Sequence, residues 1–181
     1  GVEDAAEGTP AQRTIRETVK HHFAVSACIL QKDARIGKII GFYSVVFAAH
    51  TLLFFYSQQY FADLGYNKVQ ISVIMLLVGG ASCLGALVSE KMYRWFGKKC
   101  LIPETVIIAG AILCYGAGKA GVAIAALMCA GFANAALYPI QSDSLNALIP
   151  SEQRATLISV DSMCFSIVMI VLFPLAGALA D

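Results

Sequence analysis

The sequence predicts an all-α, polytopic helical membrane protein, and three observations lead to this fold class. Of the 181 residues, 58% are hydrophobic and 14% are charged, and the mean hydropathy of +0.70 exceeds that of ordinary soluble domains. Charged residues are nearly absent from five long apolar runs, and about 20 such residues cross the hydrocarbon core as a helix. The connections between the runs are short, polar and rich in turn-forming residues.

The opening of the chain, residues 1–38, is predicted to be a cytoplasmic linker that contains an amphipathic interfacial helix. Within residues 12–31, Ile15, Val19 and Phe23 recur near helical spacing, while the charged side chains mostly occupy the other face. This helix either rests on anionic lipid headgroups or acts as a lever that connects the spans to a preceding domain.

Residues 39–181 are predicted to form five transmembrane helices that follow one another as antiparallel neighbours. Four polar connections, "ADLGYNK", "YRWFGKK", "GAGKAG" and "NALIPSEQR", separate the apolar runs. The predicted limits of the spans are 40–61, 70–90, 101–118, 120–142 and 155–180.

The distribution of Lys and Arg predicts the orientation of these spans. Eleven of the 13 basic residues fall on one side of the predicted bundle, and only Lys68 and Lys119 fall on the other. Since cytoplasmic loops carry the excess of positive charge, the amino terminus is predicted to be cytoplasmic in a multi-pass protein of the plasma membrane. The chain opens on Gly1 and stops at the end of a span, so we expect a fragment of a longer polytopic protein.

Several classes of function are disfavoured by the motifs that the sequence lacks. The six cysteines show no CxxC spacing, which indicates neither a metal site nor a disulfide framework. The basic residues form juxtamembrane clusters instead of a patch with interleaved aromatics, so no nucleic-acid partner is expected. No HExxH, GxSxG or paired-aspartate motif is present, so we expect neither an enzyme nor a cofactor.

Polar side chains inside the spans are concentrated on the first and fourth. His50 lies near the middle of the first span, with Gln58 at the edge of the same face, and Asn134 lies at similar depth in the fourth, stacked with Tyr138. The third span has nothing comparable beyond Tyr115. Such groups are costly in lipid, so they either contact a solute or proton in a path or bind a neighbouring helix.

Two charged residues near the start of the fifth span have two interpretations each. Asp161 lies about two turns into the span and could carry a coupling proton or alternate between salt bridges, or it could be a carboxylate favoured by the helix dipole. Arg154 lies seven positions earlier on the same face. It is either a gating residue or an anchor at the cytoplasmic surface.

Four stretches, taken in order, carry a resemblance to a known family. They are "FFYSQQYFADLGYNKVQISVIMLLVGG", "GALVSEKMYRWFGKK", "IPSEQRATLISVDS" and "FPLAGALAD". From about residue 38 onward the chain resembles the carboxy-terminal half of a major facilitator superfamily transporter, helices seven to eleven. The resemblance implies a partial six-helix half of that fold. It also implies that the first and fourth spans, as helices seven and ten, line the substrate path, while the third faces lipid.

The loop after the second span is similar to the family's cytoplasmic motif of a glycine, an acid four positions on, a basic residue, and then glycine with two basic residues. Here Ser89 occupies the acidic position, and the glycine with two basic residues comes later than in the family. The resemblance implies a gating or coupling contact for the acidic residue. The acid nearest to that position is Glu90, one place later, and the other motif residues are Gly85, Gly97, Lys98 and Lys99.

The resemblance predicts a secondary active transporter that moves a small solute by alternating access, coupled to a proton or another ion. The expected partners are the solute, the lipid bilayer, a coupling proton or cation, and the missing amino-terminal half of the same transporter. The fragment is not expected to transport by itself. The alternative is a non-transporting polytopic scaffold or receptor, which predicts no polar line through the first and fourth spans.

Overall fold

The computed structural model describes residues 33–97, 101–115, 118–149, 151 and 154–180, and the regular structure within these ranges is helical. This architecture confirms the predicted all-α class. The amphipathic helix predicted within residues 12–31 lies outside the described residues, as do Lys98 and Lys99. The five helices are α1 (Ala34–Asp63), α2 (Lys68–Phe96), α3 (Leu101–Tyr115), α4 (Ala120–Asn146) and α5 (Arg154–Ala180).

Helix α1 begins earlier than its apolar run, because Asp33 caps it. The Asp33 carboxylate accepts a hydrogen bond from the Arg35 backbone N–H at 2.9 Å and contacts the Arg35 guanidinium at 2.7 Å. These contacts with Arg35 hold the pKa of Asp33 below its ordinary value. The last residues of the predicted linker, 34–38, therefore belong to α1.

The turn from α1 to α2 is defined by Gly65 and Asn67. Gly65 has a φ of 87°, a conformation that glycine adopts without steric cost. Asn67 and Gln70 form a capping box, in which each side chain hydrogen-bonds the other residue's backbone N–H at 2.9 Å. Helix α2 therefore starts at Lys68, within the boundary expected from the sequence.

Helix α3 is the shortest helix in the described part of the chain. Among the described residues, four helices are long and apolar enough to cross a membrane, whereas α3 has 15 residues, Leu101–Tyr115. That length corresponds to about 22 Å, against about 30 Å for a hydrocarbon core. Gly118, the last residue of the predicted span, lies outside the helix with a φ of 65°.

Helix α3 packs mainly against α4, and it approaches α1 near both of its own ends. Near its start, Ile102 shares an apolar cavity with Phe42 of α1. At its end, the ring centroid of Tyr115 lies 4.8 Å from that of Tyr60. The two ends of α3 thus lie near different levels of α1, at Phe42 and Tyr60, and a fifth crossing remains a prediction.

Helix α4 is the centre of the bundle, and its most extensive partner is α2. Gly85 of α2 is buried directly against the backbone of Phe132, which leaves no room for a Cβ atom. One turn away, Gly131 faces the side chains of Ser82 and Val78. Small residues at these positions allow the two helix backbones to approach closely, as in other membrane helix pairs.

The buried residues form two clusters. The larger one, which we call the main core, takes its residues from α1 to α4 and includes Tyr43, Phe61, Val78, Leu127 and Leu137. The smaller cluster joins α5 to the start of α1 and the end of α4. Its buried members are Ile36, Ile40, Leu145, Leu157 and Val160.

The clusters define two ends of the bundle. The Arg35 end contains the smaller cluster, where α1 and α5 begin and α4 ends. The Asp63 end contains the last turn of α1. There the ring of Phe61 packs near Tyr115, at the end of α3, and near Tyr66, in the turn between α1 and α2. Successive helices therefore alternate in direction, as the short connections predict.

Candidate functional site

A cleft with a volume of about 340 Å³ lies between α1, α4 and α5, and we call it the three-helix cleft. It lies between the Arg35 and Asp63 ends, within segments that are apolar enough to span a membrane. Its lining combines hydroxyl, amide and carboxylate groups with aromatic rings. The lining residues are Ser44, Phe47, Thr51, Asn134, Tyr138, Asp161, Ser162, Phe165 and Ser166.

Helical spacing explains why these side chains converge. Asn134 and Tyr138 are four residues apart on α4, and Ser162 and Ser166 are four apart on α5, so each pair occupies one face of its helix. The ring of Tyr138 lies 5.9 Å from that of Phe47, between centroids, which brings α4 to α1 across the cleft. The cleft is therefore built from three different helices.

The hydroxyl groups in the lining bond partly to their own helices. Thr51 donates its Oγ1 hydrogen to the Phe47 carbonyl at 2.7 Å, and Ser166 donates its Oγ hydrogen to the Ser162 carbonyl at 2.8 Å. These bonds remove the donors and leave the lone pairs of the oxygens to the cleft. Asn134 Oδ1 is a further acceptor, buried without a hydrogen-bond partner among the described residues.

Asp161 is held by a residue of the opposite helix. Gln141 Nε2 of α4 donates a hydrogen bond to Asp161 Oδ1 at 2.8 Å. Gln141 is only 2% exposed, so Asp161 is the member of the pair that is more accessible to solvent. The pair borders a second cavity of about 120 Å³, which shares Tyr138, Asp161 and Ser162 with the three-helix cleft.

Residues 4–171 match the model of the Major Facilitator Superfamily, which is most of the chain. The chain belongs to the major facilitator superfamily. No curated protein and no solved structure gave a significant match.

Membership in the major facilitator superfamily confirms the resemblance that the sequence stretches carry. The family is one of membrane transporters, so this chain is a multi-pass membrane protein of a transporter family. The match begins at residue 4, well before residue 38, where the resemblance begins. The opening segment is therefore part of the family match.

Three of the side chains singled out in the sequence meet in the cleft of this superfamily member. Asn134, Tyr138 and Asp161 all line it, although they lie on two helices and Asp161 was assigned a separate role. Tyr138 is 62% exposed, which leaves its ring accessible on the α4 side. The structure thus joins the proposed path residues of α4 to the proposed coupling residue of α5.

His50 and Gln58 are not among the side chains that line this cleft. His50 precedes Thr51, so it points about 100° away around the helix. It is half-buried, and its Nε2 is buried without a partner among the described residues. Gln58 is exposed near the Asp63 end of α1.

The predicted gating residues lie away from the cleft. Arg154 and Glu90 are both exposed, and within the described ranges the one ion pair joins Asp33 to Arg35. Asp161 therefore bonds an amide of the neighbouring helix in this structure, although spacing placed Arg154 on its own face. No group of three His, Cys, Asp or Glu residues that could hold a metal occurs in the described part of the chain.

The glycines of the predicted loop motif have separate roles. Gly97 ends α2 with a φ of 54°, so the loop begins there. Gly85 lies inside α2, buried against Phe132, because the helix continues to Phe96. Its part in the loop motif stays a prediction, and Lys98 and Lys99 lie outside the described residues.

Sequence reasoning missed several lining residues. The hydroxyl groups of Ser44, Thr51, Ser162 and Ser166 were not singled out, because Ser and Thr in membrane helices commonly bond their own backbone. The available signal was the four-residue spacing of the serines beside Asp161, on a helix with no other ionisable side chain except Arg154 and the thiol of Cys164.

Proposed function

We propose that this chain is part of a secondary active transporter that moves a small solute by alternating access, coupled to a proton or another cation. The carboxy-terminal helices would act together with an amino-terminal six-helix half of the same transporter. We further propose that it resides in the plasma membrane, with the Arg35 end facing the cytoplasm because the basic residues concentrate there.

The observation that carries this proposal is the three-helix cleft. Hydrogen-bonding groups buried in a bilayer cost free energy unless they meet water, a solute or one another. Here such groups from α1, α4 and α5 face a common space that is large enough for a small molecule. Within the family of this chain, solute transport is the function that such a space supports best.

The proposed path contains Asn134 and Tyr138 in the cleft, with His50 and Gln58 as further candidates on α1. Asp161 is the proposed coupling residue, since it is the carboxylate of the cleft and its partner Gln141 lies on another helix. Arg154 and Glu90 are the proposed gating residues, because their exposed charges could pair with other parts of the intact transporter.

Cysteine accessibility in the full-length protein tests the proposal. In a background without native cysteines, Asn134→Cys and Tyr138→Cys should react with a charged, membrane-impermeant thiosulfonate added to either side of the membrane. Leu113→Cys and Ile170→Cys are matched controls, since both side chains are apolar and exposed on the outside of the bundle. Alternating access predicts reaction of the cleft positions from both sides, and no reaction of the controls.

The outcome separates the transporter from a scaffold or receptor. Reaction of the cleft positions no faster than the controls would mean that no water-filled path exists there, and the proposal would be wrong. Reaction from one side only would contradict alternating access. A flux assay then measures transport by two variants. Asn134→Ala should reduce transport, whereas Ser72→Ala should not, because Ser72 is an exposed residue of α2 away from the cleft.

A further inference from the structure

We propose that the three-helix cleft binds a cationic solute whose ammonium group lies between the Asp161 carboxylate and the aromatic rings of Phe47, Tyr138 and Phe165. Transport of that solute rests on the proposed function, whereas its binding does not. The inference concerns the charge class of the ligand, which membership in the family leaves open.

The first argument is the charge of the lining. Asp161 is the carboxylate among the lining residues, and they include no Lys, Arg or His. An anion entering this space would lose hydration and meet a like charge, whereas a cation would gain an opposite charge. The hydrogen bond from Gln141 to Asp161 Oδ1 orients the carboxylate and engages one of its two oxygens.

The second argument is the aromatic lining. Phe47 and Tyr138 lie 5.9 Å apart between ring centroids with their planes inclined by 36°, and Phe165 lines the same space from α5. The faces of aromatic rings carry negative potential, and several of them around one site are a recognised binding mode for ammonium groups. Aromatic side chains alone would accept any apolar ligand, but beside a carboxylate they favour a cation.

A further feature of the lining is its mixture of hydrogen-bonding groups. Thr51 and Ser166 donate their hydroxyl hydrogens to backbone carbonyls, so both present oxygen lone pairs. The Ser44 hydroxyl and Asn134 Oδ1 are buried without partners among the described residues, so the lining offers a donor as well as acceptors. These groups allow polar contacts with a solute of either charge, and the preference for a cation rests on Asp161 and the aromatic rings.

Equilibrium binding tests the inference without transport. The full-length protein in lipid nanodiscs is titrated with choline and with 3,3-dimethylbutan-1-ol, a neutral molecule of nearly the same shape. Choline should bind about tenfold or more tightly than the neutral alcohol, and Asp161→Asn should remove most of that ratio. Asp143→Asn is the matched control, because Asp143 is an exposed carboxylate of α4 outside the cleft, and should leave the ratio unchanged.

A second pair of variants covers the case in which Asp161→Asn fails to fold. Tyr138→Leu should lower the ratio of choline to neutral binding severalfold, because it removes the ring face, whereas Tyr138→Phe should preserve it. Equal affinity for choline and the alcohol, or tighter binding of 3,3-dimethylbutanoate than of choline, would overturn the inference. So would an unchanged ratio in Asp161→Asn.

Flux measurements keep this inference separate from the proposed function. Selective binding of choline without any flux of organic cations would contradict the transporter proposal and support the cation site. Flux of neutral or anionic solutes, with no binding of choline, would overturn the cation site and support the transporter proposal. Flux of choline that Asp161→Asn reduces would support both.

Discussion

At the scale of single residues, His50 shows how burial and function can be separated. Its Nε2 is buried without a hydrogen-bond partner among the described residues, and its side chain is not among those that line the three-helix cleft. A buried polar atom that lacks a hydrogen-bond partner lowers the stability of the fold. Such an atom in a folded protein therefore calls for an explanation, for example a role in function. The sequence suggested a solute or proton contact, or a packing role, and one variant can distinguish them.

We predict that His50→Leu increases the free energy of unfolding by about 1–3 kcal/mol, because it removes a buried unpaired group. Thermal unfolding in detergent, followed by circular dichroism, measures the change, and His50→Asn should show no such gain. If His50 belongs to the path, transport by the full-length His50→Leu protein should fall despite the higher stability. Unchanged transport would confine His50 to packing between helices.

At the scale of helices, the closest contact is that between α2 and α4. Gly85 touches the backbone of Phe132, while Gly79 and Gly80 on the same helix have open space where a Cβ atom would lie. The same substitution is therefore expected to have opposite effects at positions only a few residues apart. This contrast provides an internal control for the packing of the bundle.

Gly85→Ala is predicted to destabilise the protein by about 1–3 kcal/mol, since its methyl group would force the two backbones apart. Gly80→Ala should be neutral or slightly stabilising, because alanine favours a helix more than glycine does. Thermal unfolding of both variants under identical detergent conditions compares them. Equal melting temperatures would show that α2 and α4 are not in close contact.

The helices themselves could be predicted from the sequence, because apolar runs between polar turns report directly on length and order. The ends were less predictable, since Asp33 extends α1 through a cap and Gly118 lies beyond the end of α3. Asn134 and Tyr138 could be placed on one face by spacing alone. The hydrogen bond from Gln141 to Asp161 could not be predicted from the sequence, because it depends on how α4 and α5 are rotated relative to each other.

At the scale of the whole molecule, the number of membrane crossings depends on α3. Within the described residues, α3 is shorter than a membrane span, yet its two ends lie near Phe42 and Tyr60 of α1. The orientation predicted from Lys and Arg depends on this crossing, because without it the later helices would be inverted. Labelling from one side can decide the point.

Single cysteines replacing Tyr66, Trp95 and Lys119 should therefore be labelled from alternate sides in intact cells. We expect Tyr66→Cys and Lys119→Cys to react with an impermeant maleimide added outside, and Trp95→Cys to react only after permeabilisation. Labelling of positions 95 and 119 from the same side would show that α3 does not cross. Labelling of 66 and 95 from the same side would contradict the antiparallel pair α1 and α2.

Helix α5 contributes one wall of the cleft but no residue to the main core. It is attached to α1, to the small cluster at the Arg35 end, and to α4 by the hydrogen bond from Gln141 to Asp161. A solute that replaced Gln141 as the partner of Asp161 would shift the position of α5 only by the difference between its affinities for two positions of that helix. A difference of about 1.4 kcal/mol changes the ratio of the two populations tenfold, and breaking one hydrogen bond to a charged group costs about 1.5–3 kcal/mol.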